Sequence, residues 1–368
     1  MSAPTKVLVI DDSAVVRGML SKIIKAEPGL ELAGTAANGE LGIDKAARLA
    51  PDVIVLDIEM PVMGGLEALV HLRRRHPKTP IIMFSTLTAK GAAASLDALQ
   101  KGASDYSTKP SNTSSAAGSI ELVREDLIKK ILSIGKAVER PSPANGARHL
   151  RLAKPRQAKS NSPVDALLIG SSTGGPVALE VLLRAIPKPL SVPILIVQHM
   201  PPTFTGVLAE RLSRVCTFPV IEAEDGMQVE AGACYLAAGG RHMTLNRQGP
   251  SQVQLKLNDD ERVKSCRPSV DVMFDSARDV YQDRLVAAVL TGMGDDGLDA
   301  SVRLAALDVE IIIQDEETSV VWGMPGAIAN AGIADQCLPL DQIAPALLRV
   351  MQRRNNSLSP LQNKRAAS

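Results

Sequence analysis

Short unbroken apolar runs alternate with stretches of helical spacing along most of this chain. Runs at residues 7–10, 53–56 and 81–84 predict strands, as do the segment around 105–107 and a weaker one near 30–34. Within residues 14–25, Val16, Met19, Leu20, Ile23 and Ile24 recur at the period of one helix face. The same rhythm resumes later. Residues 164–169, 192–197, 285–290 and 309–313 read as strands, and 177–185, 205–215 and 298–306 as helices. Strands that are apolar throughout are buried on both faces. Their alternation with helices predicts α/β architecture, here two doubly wound parallel-sheet domains.

A helical pattern at 121–134 closes the first region. Residues 140–163 then run rich in Pro, Ser, Asn, Ala and basic side chains, with no acid after Glu139. Such a stretch buries too little to fold and repels itself enough to stay extended. The expected division is therefore a first domain over 1–132, a basic linker over 133–163, a second domain over 164–352 and a polar, disordered tail over 353–368.

Composition narrows the function. One Trp, three Tyr and four Phe in 368 residues leave few platforms for stacking single-stranded nucleic acid. A formal net charge of +1 supplies no overall field toward nucleic acid or an anionic membrane. Cys216, Cys234, Cys266 and Cys337 lie far apart without metal-ligand spacing, the pattern of reduced thiols. No apolar run is long enough to span a bilayer, and the start of the chain lacks a signal-peptide pattern. A soluble, cytoplasmic monomer is expected, with no membrane insertion and no nucleic-acid partner.

The first candidate site lies at strand ends. Asp11 and Asp12 follow the first strand, and Asp57 ends the third within VLDIEMPVMGG. The carboxyl ends of strands in an open parallel sheet share one crevice, so these acids should converge. Crowded carboxylates repel one another and call for a hard cation, and Mg²⁺ with oxygen ligands fits. That ion can also neutralise a phosphoryl group arriving on Asp57. Lys109, in a Lys-Pro step after the fifth strand, brings a point charge. A lone strand-end Asp is more often a helix cap; the ordered set is what carries the signal. This set resembles the response-regulator receiver domain over about residues 1–132, a flavodoxin-like fold. The resemblance implies Asp57 as phospho-acceptor and Asp11, Asp12 and Asp57 as Mg²⁺ ligands with the Glu59 carbonyl. It implies Lys109 as a phosphoryl contact, Ser85 as the switch hydroxyl, with Thr86 directly beside it, and Tyr106 as the switch aromatic.

The second candidate site begins at LLIGSSTGGP. Gly170-x-Ser172-x-Gly174 has the spacing of a nucleophile elbow, where small neighbours let a serine ride a tight strand-to-helix turn near backbone N–H groups. A phosphate-cradling turn reads equally well from this motif alone. Outside the first domain and linker the histidines are His199 and His242. His199 follows the apolar strand VPILIVQ and is the better-placed base, whereas His242 sits among turn and hairpin residues. A third strand-end loop, Gly292-Met293-Gly294-Asp295-Asp296-Gly297, adds carboxylates to the same crevice. A serine needs a base at neutral pH, and the base needs an orienting acid. Ser172, His199 and an Asp of this loop meet that need. The loop also reads GxGxxG, with Asp315 closing the next strand, which resembles a dinucleotide fingerprint. Two aspartates where a pyrophosphate must approach argue against that reading.

GSSTGGP, QHMP, TGMGDDG and WGMP together resemble the catalytic domain of the chemotaxis protein-glutamate methylesterases, a Rossmann-like serine hydrolase, over about residues 164–353. AAGGRHM and CRPSVDVMF are similar to further segments of that family. The resemblance implies Ser172 as nucleophile, His199 as base and Asp296 as orienting acid. Met293 N–H matches an oxyanion contact, and Thr173 N–H is a second by analogy with other elbows. It further implies methyl-accepting chemotaxis receptors as substrate, a chemotaxis histidine kinase as phosphodonor, and no cofactor for the ester chemistry. Receptor glutamine deamidation is implied as a second activity. A receiver that covers the crevice until Asp57 is phosphorylated would make the enzyme switchable. Met200, Met243, Met273 and Met324 read as core or cleft-wall fillers, Trp322 as groove or core, and Arg267 as a receptor contact or a surface pair. A DNA-binding response regulator would instead need a helix-turn-helix output, which residues 164–352 do not resemble.

Overall fold

The computed structural model describes residues 3–110, 121, 123–138, 160–249 and 252–356. It divides into two compact units, Met1–Gly146 and Ala147–Ser368. Both are α/β with all-parallel main sheets, as the apolar rhythm predicts.

The first unit runs β1 (Thr5–Ile10), α1 (Ala14–Ala26), β2 (Leu30–Ala36), α2 (Gly39–Leu49), β3 (Val53–Asp57), α3 (Gly65–Arg75), β4 (Ile81–Ser85), α4 (Ala89–Gln100) and β5 (Asp105–Thr108). Its sheet has the order β2-β1-β3-β4-β5. The side chains of Val7 to Ile10 and Val53 to Leu56 are almost wholly buried, which is why these strands carry no polar alternation. A π-helical turn, Arg124–Ile128, leads into α5 (Lys129–Val138). That helix passes the expected boundary at 132: Ile131 and Ile134 are buried on the sheet, so the apolar face keeps the helix going.

The second unit runs β6 (Ala166–Ser171), α6 (Gly175–Arg184), β7 (Ile194–Gln198), α7 (Pro202–Val215), β8 (Val220–Glu222), β9 (Cys234–Leu236), β10 (His242–Arg247), β11 (Val253–Asn258), α8 (Val270–Tyr281), β12 (Leu285–Val289), α9 (Leu298–Ala306), β13 (Glu310–Gln314), α10 (Met324–Asn330), β14 (Gln336–Leu338) and α11 (Leu340–Asn356). The sheet order is β14-β13-β12-β6-β7-β9-β8, with β10 and β11 forming a separate antiparallel hairpin. Ala166 and Leu168 of β6 face a core shared with α8 and the hairpin, while Leu167 and Ile169 are buried on the opposite face. β6 is the switch point, because the chain winds to β7 on one side and returns as β12 on the other.

Both ends of this unit depart from expectation. Ser160 and Ser162, inside the stretch read as linker, donate hydroxyl hydrogen bonds to Asp283 Oδ2 (2.6 and 2.7 Å). Arg354, inside the stretch read as tail, is 1% exposed. Its guanidinium donates to the Ser162 carbonyl (2.7 Å), the Leu285 carbonyl (2.8 Å) and the Asp283 carbonyl. Polar composition hides both contacts, since an arginine that gathers backbone carbonyls looks like any surface arginine in sequence. The rest of the expected linker and tail, 139–159 and 357–368, lies outside the described residues.

Candidate functional site

Ser172 stands one residue beyond β6 on a backbone fixed from three directions. Its N–H donates to the Thr291 carbonyl (3.0 Å), and its carbonyl accepts from Gly175 N–H (2.7 Å) and Gln198 Nε2 (2.9 Å). The turn needs its glycines. Gly174 has φ 77°, the left-handed region, and a Cβ on Gly175 would lie 1.9 Å from Gln198 Oε1. With the main chain clamped, the serine hydroxyl keeps chiefly its own torsion.

His199 lies beside it, because β6 and β7 pair Ser171 with Gln198 and His199 N–H donates to the Ser171 carbonyl (3.1 Å). Its Nε2 is 2.7 Å from Asp296 Oδ2. That leaves Nδ1 as the ring atom able to accept a proton. Among the described residues no hydrogen bond joins Ser172 Oγ to His199; such bonds commonly tighten only around a substrate. Nδ1 faces Cys266 Sγ at 3.7 Å.

Asp296, 2% exposed, is fed by the start of a helix other than its own. Ser269 Oγ (2.8 Å), Val270 N–H (2.7 Å) and Asp271 N–H (3.1 Å) all donate to its carboxylate at the N-terminus of α8. Burial raises the carboxyl's pKa, but the bonds from His199, Val270 and Ser269 outweigh it and hold it below the ordinary carboxylate range. For His199 burial disfavours the cation, yet Asp296 and the Cys266 sulfur outweigh it and push the imidazole up to about 10.

The loop carrying Met293 packs onto the serine turn: a Cβ on Gly292 would lie 2.8 Å from Ser172 Cβ, and Met293 itself is half-buried. The Thr173 carbonyl accepts from Thr291 Oγ1 (2.9 Å), which fixes the peptide next to the serine. The glycines of this loop are accounted for locally: a Cβ on Gly297 would lie 2.7 Å from Val270 Cγ1, and Gly294 has φ 83°, in the left-handed region. Met200, Met243, Met273 and Met324 are buried fillers. Trp322 donates its indole N–H to the Gln314 carbonyl (2.9 Å). Arg267 donates to the carbonyls of Asp259 and Asp260 (2.7 and 3.0 Å), a local clamp.

In the first unit, oxygens of Asp11, Asp12 and Asp57 all fall within 4.8 Å of one another. Lys109 Nζ sits 2.9 Å from Asp11 Oδ2 and 2.8 Å from Asp57 Oδ1. Among the described residues the buried Asp11 Oδ2 and Asp57 Oδ2 accept no hydrogen bond, and only the former has Lys109 as an ion-pair partner, so Asp57 Oδ2 is left for a cation. Burial pushes the Asp57 carboxyl up to about 6, with the Lys109 hydrogen bond opposing and Asp11 adding to the rise. Such a donor set fits Mg²⁺. Asp12, Glu59, Ser85, Thr86 and Lys109 line the cleft over Asp57. Ser85 Oγ is paired with Ser95 Oγ (2.8 Å), and Lys90 Nζ caps the Glu59 carboxylate (2.7 Å). Tyr106 is buried, its ring under Lys130 Nζ at 5.1 Å.

A family model described as CheB methylesterase matches residues 167–347, and one described as response regulator receiver domain matches 7–120. A curated protein-glutamate methylesterase/protein-glutamine glutaminase from Trichodesmium erythraeum is 42% identical, covering 94% of this chain and 98% of its own. The chain belongs to the protein-glutamate methylesterase/protein-glutamine glutaminase family. A second curated member, from a Nocardioides species, is 44% identical over 96% of this chain and 98% of its own. The crystal structure of the Thermotoga maritima CheB methylesterase catalytic domain is 38% identical, with a TM-score of 0.50, covering 51% of this chain and 98% of that one.

Membership in this methylesterase family makes the chain a hydrolase with a receiver domain, and the resemblance read from GSSTGGP and TGMGDDG holds. Sequence reasoning missed the residues that brace the candidate site. Gln198 locks the serine turn, Ser269 with the first N–H groups of α8 holds Asp296, and His242 accepts from Ser269 N–H (3.2 Å) while donating to the Glu261 carbonyl (3.0 Å). The segment CRPSVDVMF resembles the methylesterases, but nothing in its spacing says that it meets Asp296. No described helix is long and apolar enough to cross a membrane.

Proposed function

We propose that this chain hydrolyses glutamate methyl esters on chemotaxis receptors, releasing methanol, and deamidates receptor glutamines in sensory adaptation. The observation that carries the chemistry is the 2.7 Å contact of His199 Nε2 with a buried, helix-fed Asp296, beside the serine turn. Asp296 fixes the tautomer, so Nδ1 accepts the Ser172 proton as the hydroxyl attacks the ester carbonyl. The developing oxyanion is met by backbone N–H groups of Met293 and Thr173. His199 then returns its proton to the departing ester oxygen, which leaves as methanol, or to the departing amide nitrogen, which leaves as ammonia. Water, deprotonated by the same imidazole, releases the acyl-enzyme.

The receiver sets the rate. A chemotaxis histidine kinase donates a phosphoryl group to Asp57. Asp11, Asp12, Asp57 and the Glu59 carbonyl would hold Mg²⁺, which neutralises the crowded charge during transfer. Lys109 contacts the phosphoryl oxygens, and Ser85 and Tyr106 respond to it. The enzyme acts in the cytoplasm as a monomer, without nucleic acid.

The test is methanol release from methylated receptor, with and without acetyl phosphate. Ser172→Ala should lower release at least about a thousandfold, and Asp57→Asn should remove the response to acetyl phosphate. Turnover retained in Ser172→Ala would refute the serine mechanism. An Asp57→Asn rate that still responds would refute the regulation.

A further inference from the structure

Cys266 differs from the other cysteines of the chain. Burial pushes the Cys216 and Cys337 thiols up to about 11 and the Cys234 thiol well above its usual range, which makes them poor nucleophiles. Cys266 is half-buried, between β11 and α8, with Sγ 3.5 Å from the Lys264 carbonyl and 3.7 Å from His199 Nδ1. The segment that presents it is braced. Lys264 and Ser265 are consecutive non-glycine residues in left-handed conformations (φ 49° and 66°), a costly arrangement that the surroundings must enforce. Lys264 Nζ supplies that restraint through Asp271 Oδ2 (3.0 Å), Asp299 Oδ2 (3.1 Å) and the Asp295 carbonyl (3.0 Å). The sulfur is thus held against the ring nitrogen that Asp296 leaves available.

We propose that Cys266 is a redox modification site, and that its oxidation by hydroperoxide switches the esterase off. The functional consequence rests on the reading of His199 as the esterase base. The thiol proton passes to His199 Nδ1, leaving a thiolate beside an imidazolium. The sulfur attacks one oxygen of hydrogen peroxide, the S–O bond forms and the O–O bond breaks. The departing hydroxide takes the imidazolium proton, so thiol and peroxide become sulfenic acid and water. The sulfenic oxygen then lies against Nδ1 and takes up the ring nitrogen that would otherwise accept the Ser172 proton. Two equivalents of a small thiol reverse the step, yielding Cys266 thiol, water and the small disulfide.

The experiment treats the full-length protein with hydrogen peroxide and traps sulfenic acid with dimedone. Each cysteine is followed by peptide mass spectrometry, and methanol release is read before and after dithiothreitol. Each variant's activity is expressed relative to its own untreated rate. Cys266 should be trapped about tenfold faster than Cys216, Cys234 or Cys337. Methanol release should fall in step and return with dithiothreitol. Cys266→Ser and Cys266→Ala should keep their own untreated rates under peroxide, and His199→Gln should slow trapping at Cys266 about tenfold. Equal trapping of all four cysteines, or inactivation of both Cys266 variants at the wild-type rate, would overturn the proposal. Untreated protein that releases no methanol would instead refute the functional reading, while the trapping comparison still decides the thiol chemistry.

Discussion

Asp57→Asn should stabilise the first unit at neutral pH even as it removes the proposed phosphorylation site. The Asp57 carboxyl is 2% exposed and is pushed from 3.8 up to about 6, because burial and Asp11 together outweigh Lys109. A carboxyl whose pKa rises on folding binds its proton more tightly in the native state. Its penalty is absent below the unfolded value, grows as pH rises from about 4 to 6, and is constant above. Two units at 1.36 kcal/mol each give about 3 kcal/mol. Asparagine keeps the shape and removes the charge, and Lys109 retains Asp11 as partner at 2.9 Å. Hydrogen exchange of the full chain, read at peptides from β1 and β3, isolates this unit, whereas the single Trp322 lies in the other. The opening free energies of wild type and variant should coincide near pH 4 and separate by about 3 kcal/mol at pH 7.5. Millimolar Mg²⁺ should close that gap by stabilising the wild type. Parallel curves across this pH range would refute the argument that Asp57 is ionised at a cost.

Three further outcomes follow from the second unit. Asp296→Asn should lower kcat for methanol release by about 10³ to 10⁴, since a neutral amide neither fixes the His199 tautomer nor supports its cation; circular dichroism should show the fold retained. The kcat/KM profile should rise with pH as the His199 imidazolium loses its proton toward about 10. Cys266→Ser, which removes one of the groups raising that value, should move the limb to lower pH. Arg354→Ala should destabilise this unit by about 2–4 kcal/mol, because it strands buried carbonyls of Ser162, Asp283 and Leu285. Urea titration followed by Trp322 fluorescence measures that loss.

What could be read in advance follows from how each contact is encoded. β6, β7 and β12 announce themselves because buried parallel strands are apolar throughout, and the residue that ends each run is then delivered to one crevice by topology alone. That His199 meets Asp296 beside the turn carrying Ser172 is legible for that reason. Apolarity reports burial, however, not pairing. Val164 and Val192 are buried yet precede their strands, so apolarity alone places the strand starts two residues early. The short strands β8, β9 and β14 carry too few residues for a period. The meeting of Cys266 with His199, and of Ser269 with Asp296, depends on how α8 and the turn before it dock, which no local pattern records. Arg354 looks like tail in sequence because its partners are main-chain carbonyls, which leave no signature there.

The seat of Asp296 on the first turn of α8 separates control of the acid from the acid itself. Any substitution that tilts that helix, even one on its far side, changes how firmly the negative charge is held, and thereby the basicity of the ring it faces. A substitution there would shift the ring's proton affinity while leaving Ser172, His199 and Asp296 themselves unchanged.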